Sequence, residues 1–370
     1  MDKQRPRVVF FLSGYGVVNR GAERFVHELL TRLSSSFDMV VLSAASRSIP
    51  GVVRIRAVSR DNPLVRFLNR LPLVGHAMRA VGLSPLCIEW LTGSISSMKW
   101  LMMNEFDLFV PEAGVWGAKL GRYIRRKKKV PFVDVGHGAV GRWEIAAGRC
   151  MPDVYVAITR ESHGKIVAAV PGIRASVIPM GVDTSVFSPA GEVYPLHVER
   201  PVFLCVSAVE SMKRIHLAVK AVASLSKGSL VVAGDGPLTG MIDELGNSLL
   251  GGNRYCRLAL PFTEMPPLYR ASDVVTLPSS SEAFPLACLE AMACNKPVVV
   301  QDDGVRREVV GRGGVICDCV DTPTYARNLA SAYETDWGES PRQQAARFDW
   351  EAVAGMYKAL FSDLTAPGRG

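Results

Sequence analysis

The chain has 370 residues, 48% of them hydrophobic and 21% charged, which is a globular composition with room for two domains. The net charge of +8 favours polyanionic partners: nucleic acid, an anionic membrane surface, or phosphorylated ligands. No apolar run reaches the roughly 18–20 residues of a membrane span, and the apolar run at 8–12 is too short for a secretion signal, so a cytoplasmic chain is expected. The eight cysteines are scattered. Cys317 and Cys319 form a C-x-C without a second pair, which argues for reduced, buried thiols and against a zinc site.

Residues 7–13 (RVVFFLS) read as a buried parallel strand, from their continuous apolar and β-branched run. Gly14, Gly16 and Gly21 follow, with Asn19, Arg20 and Glu23 around them, and lead into an amphipathic helix to about residue 34. Glycines permit positive φ and close approach of a ligand, and a helix N-terminus attracts anions. Their spacing is not the dinucleotide fingerprint. Strands are expected at 38–43 and 52–58. Residues 63–103 read as a helical pair in which Arg66, Arg70 and Arg79 interleave with Leu64, Phe67, Leu68, Leu71, Leu73, Val74 and Met78. Two readings stay open for it: core-facing helices with solvated arginines, or a surface that rests on anionic lipid. A strand at 107–111 precedes a helix ending in Arg122, Arg125, Arg126, Lys127, Lys128 and Lys129. These cations either cap the helix dipole or meet lipid or polyphosphate.

The strand at 130–135 delivers Gly136-His137-Gly138 at its C-terminal end, where a histidine faces whatever the loop surrounds. A strand at 154–159, a helix at 160–169 and a strand at 175–178 complete the first half. Residues 186–200 lack periodicity and read as a linker. In the second half, strands at 202–206, 229–233, 257–260, 274–277, 298–300 and 315–316 alternate with helices, and a last helix runs from 350 to 364. This alternation predicts an α/β fold of two doubly wound, Rossmann-like parallel sheets facing across a cleft, which is the expected site.

Lys213 and Arg214 lie between a strand and a helix, where cations and free N–H groups clamp a diphosphate or merely cap the helix. In the stretch 271–300, Glu282 follows a Ser-rich turn and Glu290 lies two helical turns on. Two carboxylates at a strand–helix junction suit a polyhydroxylated ligand, because charged acceptors make the stronger hydrogen bonds. N–H groups at the start of a helix beginning at Pro285 would meet the phosphate between them. No D-x-D triplet occurs, so no metal is expected, and basic residues and helix dipoles would carry the leaving-group charge. No Ser-His-Asp set, P-loop or zinc signature appears.

Several stretches together resemble a known family. They are LYRASDVVTLPSSSEAFPLACLEAMACNKPVVV with its E-x7-E pair, Glu308 with residues 311–314, GDGP at 234–237, VIPMGVDTSVFSP at 177–189, GAERFVHELL at 21–30 and the Gly-His-Gly at 136–138. In this order they resemble the retaining family 4 glycosyltransferases (glycosyl transferases group 1), which have the GT-B fold. The resemblance implies an acceptor-side domain at 1–185, a linker at 186–200, a nucleotide-sugar domain at 201–348, and a C-terminal helix and tail at 349–370 that pack back on the first domain. It implies that Glu290 binds the ribose, Glu282 the transferred sugar and Lys213 the diphosphate, with backbone N–H groups near Phe284, Pro285 and Leu286 on the phosphates. His137 would contact the sugar near the reacting carbon, so that His137 and Glu282 are the implied catalytic pair. Gly14, Gly16 and Gly21 would face the diphosphate and the acceptor. Ser207-Ala208 stands where the family often has Gly-Arg, leaving Arg214 as the substitute cation. Phe-Pro-Leu replaces the frequent Phe-Gly-Leu, and Pro285 brings no N–H.

The implied activity is metal-independent transfer of a sugar, with retention, from a nucleotide diphosphate sugar to a hydroxyl of a glycan, lipid-linked or small-molecule acceptor. No cofactor is implied. The donor expected is a UDP- or GDP-sugar, and no nucleic acid partner is expected. A peripheral position at the inner membrane face goes with the lipid reading of 63–103. Two other functions compete: a sugar-nucleotide epimerase on the same frame, and a catalytically silent polyanion-binding protein.

Overall fold

The computed structural model describes residues 5–18, 21–46, 48–80 and 83–366, apart from the side chains at 75, 77, 79 and 80. Asn19, Arg20 and the Arg79 side chain therefore lie outside the described residues. The chain divides into two compact units, Met1–Pro179 with Ala354–Gly370, and Met180–Val353.

Among the described residues, seven parallel strands build the first unit: β1 (Arg7–Phe11), β2 (Asp38–Ser43), β3 (Val52–Arg54), β4 (Leu108–Pro111), β5 (Val133–Gly136), β6 (Val154–Ala157) and β7 (Ala175–Val177). They form a ladder in the order β3-β2-β1-β4 and a second in the order β5-β6-β7, joined by a parallel bridge from Phe109 to Phe132. Val8 to Phe11 of β1 are fully buried, as a strand covered on both faces must be. The crossover direction reverses between β1 and β4. The loops after these two strands therefore leave the C-terminal edge of the sheet in opposite directions.

The last helix, Trp350–Leu364, returns to this unit as expected. Its Phe361 ring meets Phe37 at 5.8 Å and Phe10 at 6.2 Å between centroids, and Tyr357 meets Phe25 at 5.3 Å. All are edge-to-face contacts, the favoured arrangement for aromatic quadrupoles.

The second unit holds six parallel strands: β8 (Val202–Val206), β9 (Ser229–Ala233), β10 (Tyr255–Leu258), β11 (Val274–Leu277), β12 (Val298–Gln301) and β13 (Gly314–Cys317). Their order is β10-β9-β8-β11-β12-β13, the doubly wound Rossmann order, with the switch between β8 and β11. Phe203 pairs there with Val274.

Some expectations need correction. Residues 186–200 are no free linker, because they lie in the second unit and their apolar side chains are spent on its core. Phe187 is 1% exposed and packs on Phe262 and Tyr269, while Tyr194, Leu196 and Val198 lean on the same cluster. An irregular backbone shows no period even when it is packed. Strand β3 stops at Arg54, short of 58, and β10 begins at Tyr255, two residues before the expected start. Residues 63–103 form three helices, not a pair: Pro63–Arg70, Pro72–Ala80 and Pro85–Met103. Proline suits the first turn, and Asn62 and Ser84 accept the first N–H groups as caps. The short helix Arg142–Gly148 has no counterpart in the sequence reading.

Replacing Phe361 by Ala removes the aromatic side chain that ties the last helix to β1. The expected loss is about 3–5 kcal/mol, confined to the first unit. Calorimetric scans of the variant should show one transition lowered and one unmoved. A loss of both together, or of neither, contradicts the packing described.

Candidate functional site

In the second unit the site residues gather on the loops after β8 and β11, the two strands that flank the switch. Ser207 follows β8 and donates its N–H to Ala233 at 3.1 Å. The chain then makes a 3-10 turn, Ser211–Lys213, and Arg214 takes a left-handed conformation at φ 49°. From that turn the Lys213 ammonium reaches Glu282, Nζ to Oε1 at 2.7 Å, with side chains 19% and 11% exposed. Ser280 donates both its N–H (2.8 Å) and its hydroxyl (3.1 Å) to the Met212 carbonyl, so the two loops are tied through backbone as well as charge.

The GDGP stretch explains why the β8 loop holds this shape. Gly234 has φ 150° and lies against the Ser207 carbonyl. A Cβ on Gly236 would come within 2.5 Å of the Val209 carbonyl oxygen. Only glycine allows two main chains so close. Asp235 then accepts from Gly236 N–H at 2.8 Å and from the Thr239 hydroxyl at 2.7 Å, which closes the turn.

Arg214, the substitute phosphate cation of the sequence reading, has its guanidinium engaged within the loop. Its Nε donates to the Pro278 carbonyl at 2.8 Å, and one terminal nitrogen donates to the Ser279 carbonyl at 3.2 Å and the Gln301 side chain at 2.9 Å. It pins the Ser-rich loop to β12. Arg306, fully buried and paired with Asp303, donates to the same Ser279 carbonyl at 2.8 Å. The loop that carries Glu282 thus hangs from two guanidinium groups.

The helix after this loop begins at Leu286, not at Pro285. Pro285 is its N-cap residue, and its carbonyl accepts from Cys288 at 3.0 Å and Leu289 at 3.3 Å. The Leu286 N–H turns back on the Phe284 carbonyl at 3.0 Å, so this expected phosphate donor is engaged within the loop. Phe284 packs edge-to-face on Phe348 at 6.0 Å. Glu290 lies on the helix Leu286–Ala293, 8% exposed, and accepts from the Tyr269 hydroxyl at 2.8 Å. Burial first, and then the Glu290 charge and this bond, push the Tyr269 phenol well above its ordinary pKa, so it stays a donor.

In the first unit the corresponding loops carry the glycines and His137. Gly16, with φ 74°, makes the turn after β1. Gly14 lies close against the Glu23 carboxylate, so a side chain there would displace Glu23. Gly21 opens the helix Gly21–Leu33 with nothing near its missing Cβ, so packing does not require a glycine there. His137, just after β5, places Nε2 2.7 Å from Glu112 Oε2, and Glu112 stands just after β4. Burial lowers the imidazole pKa, but Glu112, by its charge and its hydrogen bond, with Glu144 and Glu23, outweighs it and leaves the group raised.

Residue reasoning missed Glu112, Glu144 and Asp134. Glu144 accepts from the Tyr155 hydroxyl at 3.1 Å, and burial raises its pKa. Asp134 is buried within β5, and burial, then Glu144 and Glu112, raises its pKa well above the usual range. Glu112 was findable: it is an acid directly after the apolar run LFVP. Glu144 was not, because its helix was not foreseen.

Residues 192–347 match the family model described as glycosyl transferases group 1. Among curated proteins, D-inositol 3-phosphate glycosyltransferase 2 of Catenulispora acidiphila is 31% identical over 55% of this chain. The chain spans about half the length of the curated relatives it matches, 54% of this one. Among solved structures, sucrose-phosphate synthase of Thermosynechococcus elongatus superposes with a TM-score of 0.78 at 16% identity, covering 98% of this chain and 100% of that one. Anabaena HepE, solved in complex with UDP-glucose, gives 0.68 at 17% identity, covering 97% and 100%. These likenesses show the fold, which is GT-B. Residues 192–347 form a glycosyl transferases group 1 domain.

Proposed function

We propose that the chain is a retaining, metal-independent glycosyltransferase that moves a sugar from a nucleotide diphosphate sugar to a hydroxyl of a glycan, lipid-linked or small-molecule acceptor. The observation that carries this reading is the Lys213–Glu282 pair at the β8/β11 switch, with Glu290 on the following helix. An arriving diphosphate competes for the Lys213 ammonium and frees Glu282 to accept from sugar hydroxyls. Glu290, already oriented by Tyr269, is suited to the ribose. His137 is the group for the sugar near the reacting carbon, and the Gly14–Gly16 turn belongs to the diphosphate and acceptor side. With Arg214 engaged on carbonyls, Lys213 and main-chain N–H groups carry the leaving-group charge. The departing phosphate oxygen takes the acceptor proton, so no protein base is required. HepE was solved with UDP-glucose, which supports a UDP-sugar as the first donor to test. An epimerase or a silent polyanion binder finds no support among the relatives above.

We also propose contact with an anionic membrane surface. The helix Pro63–Arg70 has no buried residue, and Leu64, Phe67 and Leu73 are 64%, 59% and 87% exposed. Lys128 donates to the Leu101 carbonyl at 3.3 Å, which brings the end of the helix Gly114–Lys128 beside exposed Met102 and Met103. Arg122, Arg126, Lys127 and Lys129 are exposed there, whereas Arg125 is spent on the Met151 carbonyl at 2.7 Å. Apolar groups rimmed by cations are the pattern of interfacial binding. No helix among the described residues is long and apolar enough to cross a membrane.

UDP- and GDP-sugars should be screened for nucleotide release and transfer to added acceptors. With the accepted donor, Glu282→Gln should lower kcat about 100-fold while the Kd for the nucleotide stays within about threefold. Lys213→Ala should instead weaken nucleotide binding about tenfold or more. Equal effects of both variants on binding and turnover would contradict the division of roles. Vesicle co-sedimentation checks the membrane contact. Binding to phosphatidylglycerol vesicles should fall as salt rises and should drop at least tenfold when Arg126, Lys127 and Lys129 are replaced by Glu. Equal binding to neutral phosphatidylcholine vesicles would overturn it.

A further inference from the structure

Among the buried carboxylates that the proposed function leaves unused, Glu112 is the one in contact with His137. Glu112 is 1% exposed at its side chain; Oε2 takes the His137 Nε2 contact at 2.7 Å. Its Oε1 has no hydrogen-bond partner among the described residues. A buried acid with one oxygen unsatisfied is costly unless the other bond does something for the molecule. We propose that Glu112 is the positioning residue of His137: it holds Nε2, fixes the ring against Phe25, and leaves Nδ1 as the nitrogen offered to substrate. This deepens the glycosyltransferase reading and rests on it.

The geometry follows from the topology. Glu112 and His137 stand directly after β4 and β5, strands joined by the Phe109–Phe132 bridge, so their side chains leave the sheet at the same edge. The Glu112 N–H donates to the Phe11 carbonyl at 2.8 Å, which fixes its backbone against β1. On the ring's face Phe25 packs edge-to-face at 4.9 Å. His137 is 25% exposed at its side chain, so one edge of the ring remains open.

Gripping Nε2 sets what Nδ1 can do. With the ring protonated, Nδ1 carries a hydrogen and donates to an oxygen of the donor sugar or phosphate. With the ring neutral and Nε2–H on Glu112, Nδ1 is a lone pair and can only accept. Every charged group facing the ring favours the donating form. Glu112 after β4, Glu144 on the helix Arg142–Gly148 and Glu23 on the helix Gly21–Leu33 are all carboxylates. Asp134 of β5, itself buried, is raised by burial and then by Glu144 and Glu112, and Tyr155 of β6 and Tyr357 of the last helix stay neutral, their phenols raised first by burial. A histidine raised by its surroundings keeps its proton as pH rises past its ordinary value, and gives it up only near the raised one. Turnover that needs a donating Nδ1 is then retained to a higher pH than an ordinary histidine would allow, and is lost above it.

The test combines a substrate-free readout with kinetics. Histidine 15N spectra of the ligand-free protein, with the His137 signal assigned by its absence in His137→Gln, report tautomer and titration directly. The wild type should titrate above an exposed histidine and should show the Nε2–H tautomer at high pH. Glu112→Gln, which keeps shape and acceptor, should titrate lower. In turnover, Glu112→Gln should lower kcat about tenfold and move the alkaline limb of the kcat profile down by the same interval, with KM for the nucleotide sugar within about twofold. Glu112→Asp should recover part of the alkaline limb. Unchanged titration and an unchanged profile in Glu112→Gln overturn the proposal, as does a folded variant whose KM alone changes. The spectra need no turnover. A shifted titration without transfer by either protein would sink the glycosyltransferase reading while upholding the grip of Glu112 on His137.

Discussion

In a parallel sheet every strand must be followed by a crossover, and crossovers in one direction lay their helices over one face. Where the direction reverses, two neighbouring strands send their loops apart and no helix closes the gap. Nearly every polar group of interest in this chain follows from that constraint. In the second unit the reversal lies between β8 and β11, and Lys213 and Glu282 belong to the loops after those two strands. In the first unit it lies between β1 and β4, and the glycine turn and Glu112 occupy the same two places, with His137 one strand further on. Chemistry and topology are thus coupled twice in one chain.

The loops at the second switch are held unusually firmly for loops. Main chain touches main chain at Gly234 and Gly236, the Met212 carbonyl accepts twice from Ser280, Arg214 spends charge on the carbonyls of residues 278 and 279, and Arg306 on that of 279. This changes the meaning of the cations. A guanidinium that looks available in sequence is used to fix backbone, and the only cation joined to a site carboxylate across these loops, among the described residues, is Lys213. Holding Lys213 against Glu282 stabilises both side chains, since two partly buried opposite charges offset much of each other's desolvation cost. On the proposed reading, a doubly charged diphosphate exchanges one anionic partner for another without stranding the lysine.

What could be read from the sequence divides along physical lines. Strands β8, β9 and β11 and the helix Trp350–Leu364 were legible to the residue, because continuous apolar runs and helical periodicity report burial directly. Glu282 and Glu290 were legible because acids at a strand–helix junction have few structural uses. The errors arise where burial occurs without a period, as at Phe187 and Tyr194, or where a residue's chemistry is spent on an unseen partner, as at Arg214. Pro285 shows a finer limit. Its missing N–H was plain, but its place as cap instead of first helical residue depends on ψ, which the sequence does not reveal.

The first unit carries a physical tension that the second avoids. Glu23, Glu112, Asp134 and Glu144 lie close enough to act on one another or on His137, and three of them are buried below a tenth of their surface. Like charges gathered in a low dielectric would raise the folding cost steeply unless some were neutral or answered. Asp134 is driven toward its protonated form, and Glu144 has the Tyr155 hydroxyl. That leaves Glu112 and His137 to answer each other. A protonated His137 is favoured by these acids before any ligand arrives. The stability it confers is full at low pH and fades as pH rises through its raised pKa. The charge that these acids bring is therefore offset to the extent that His137 is protonated.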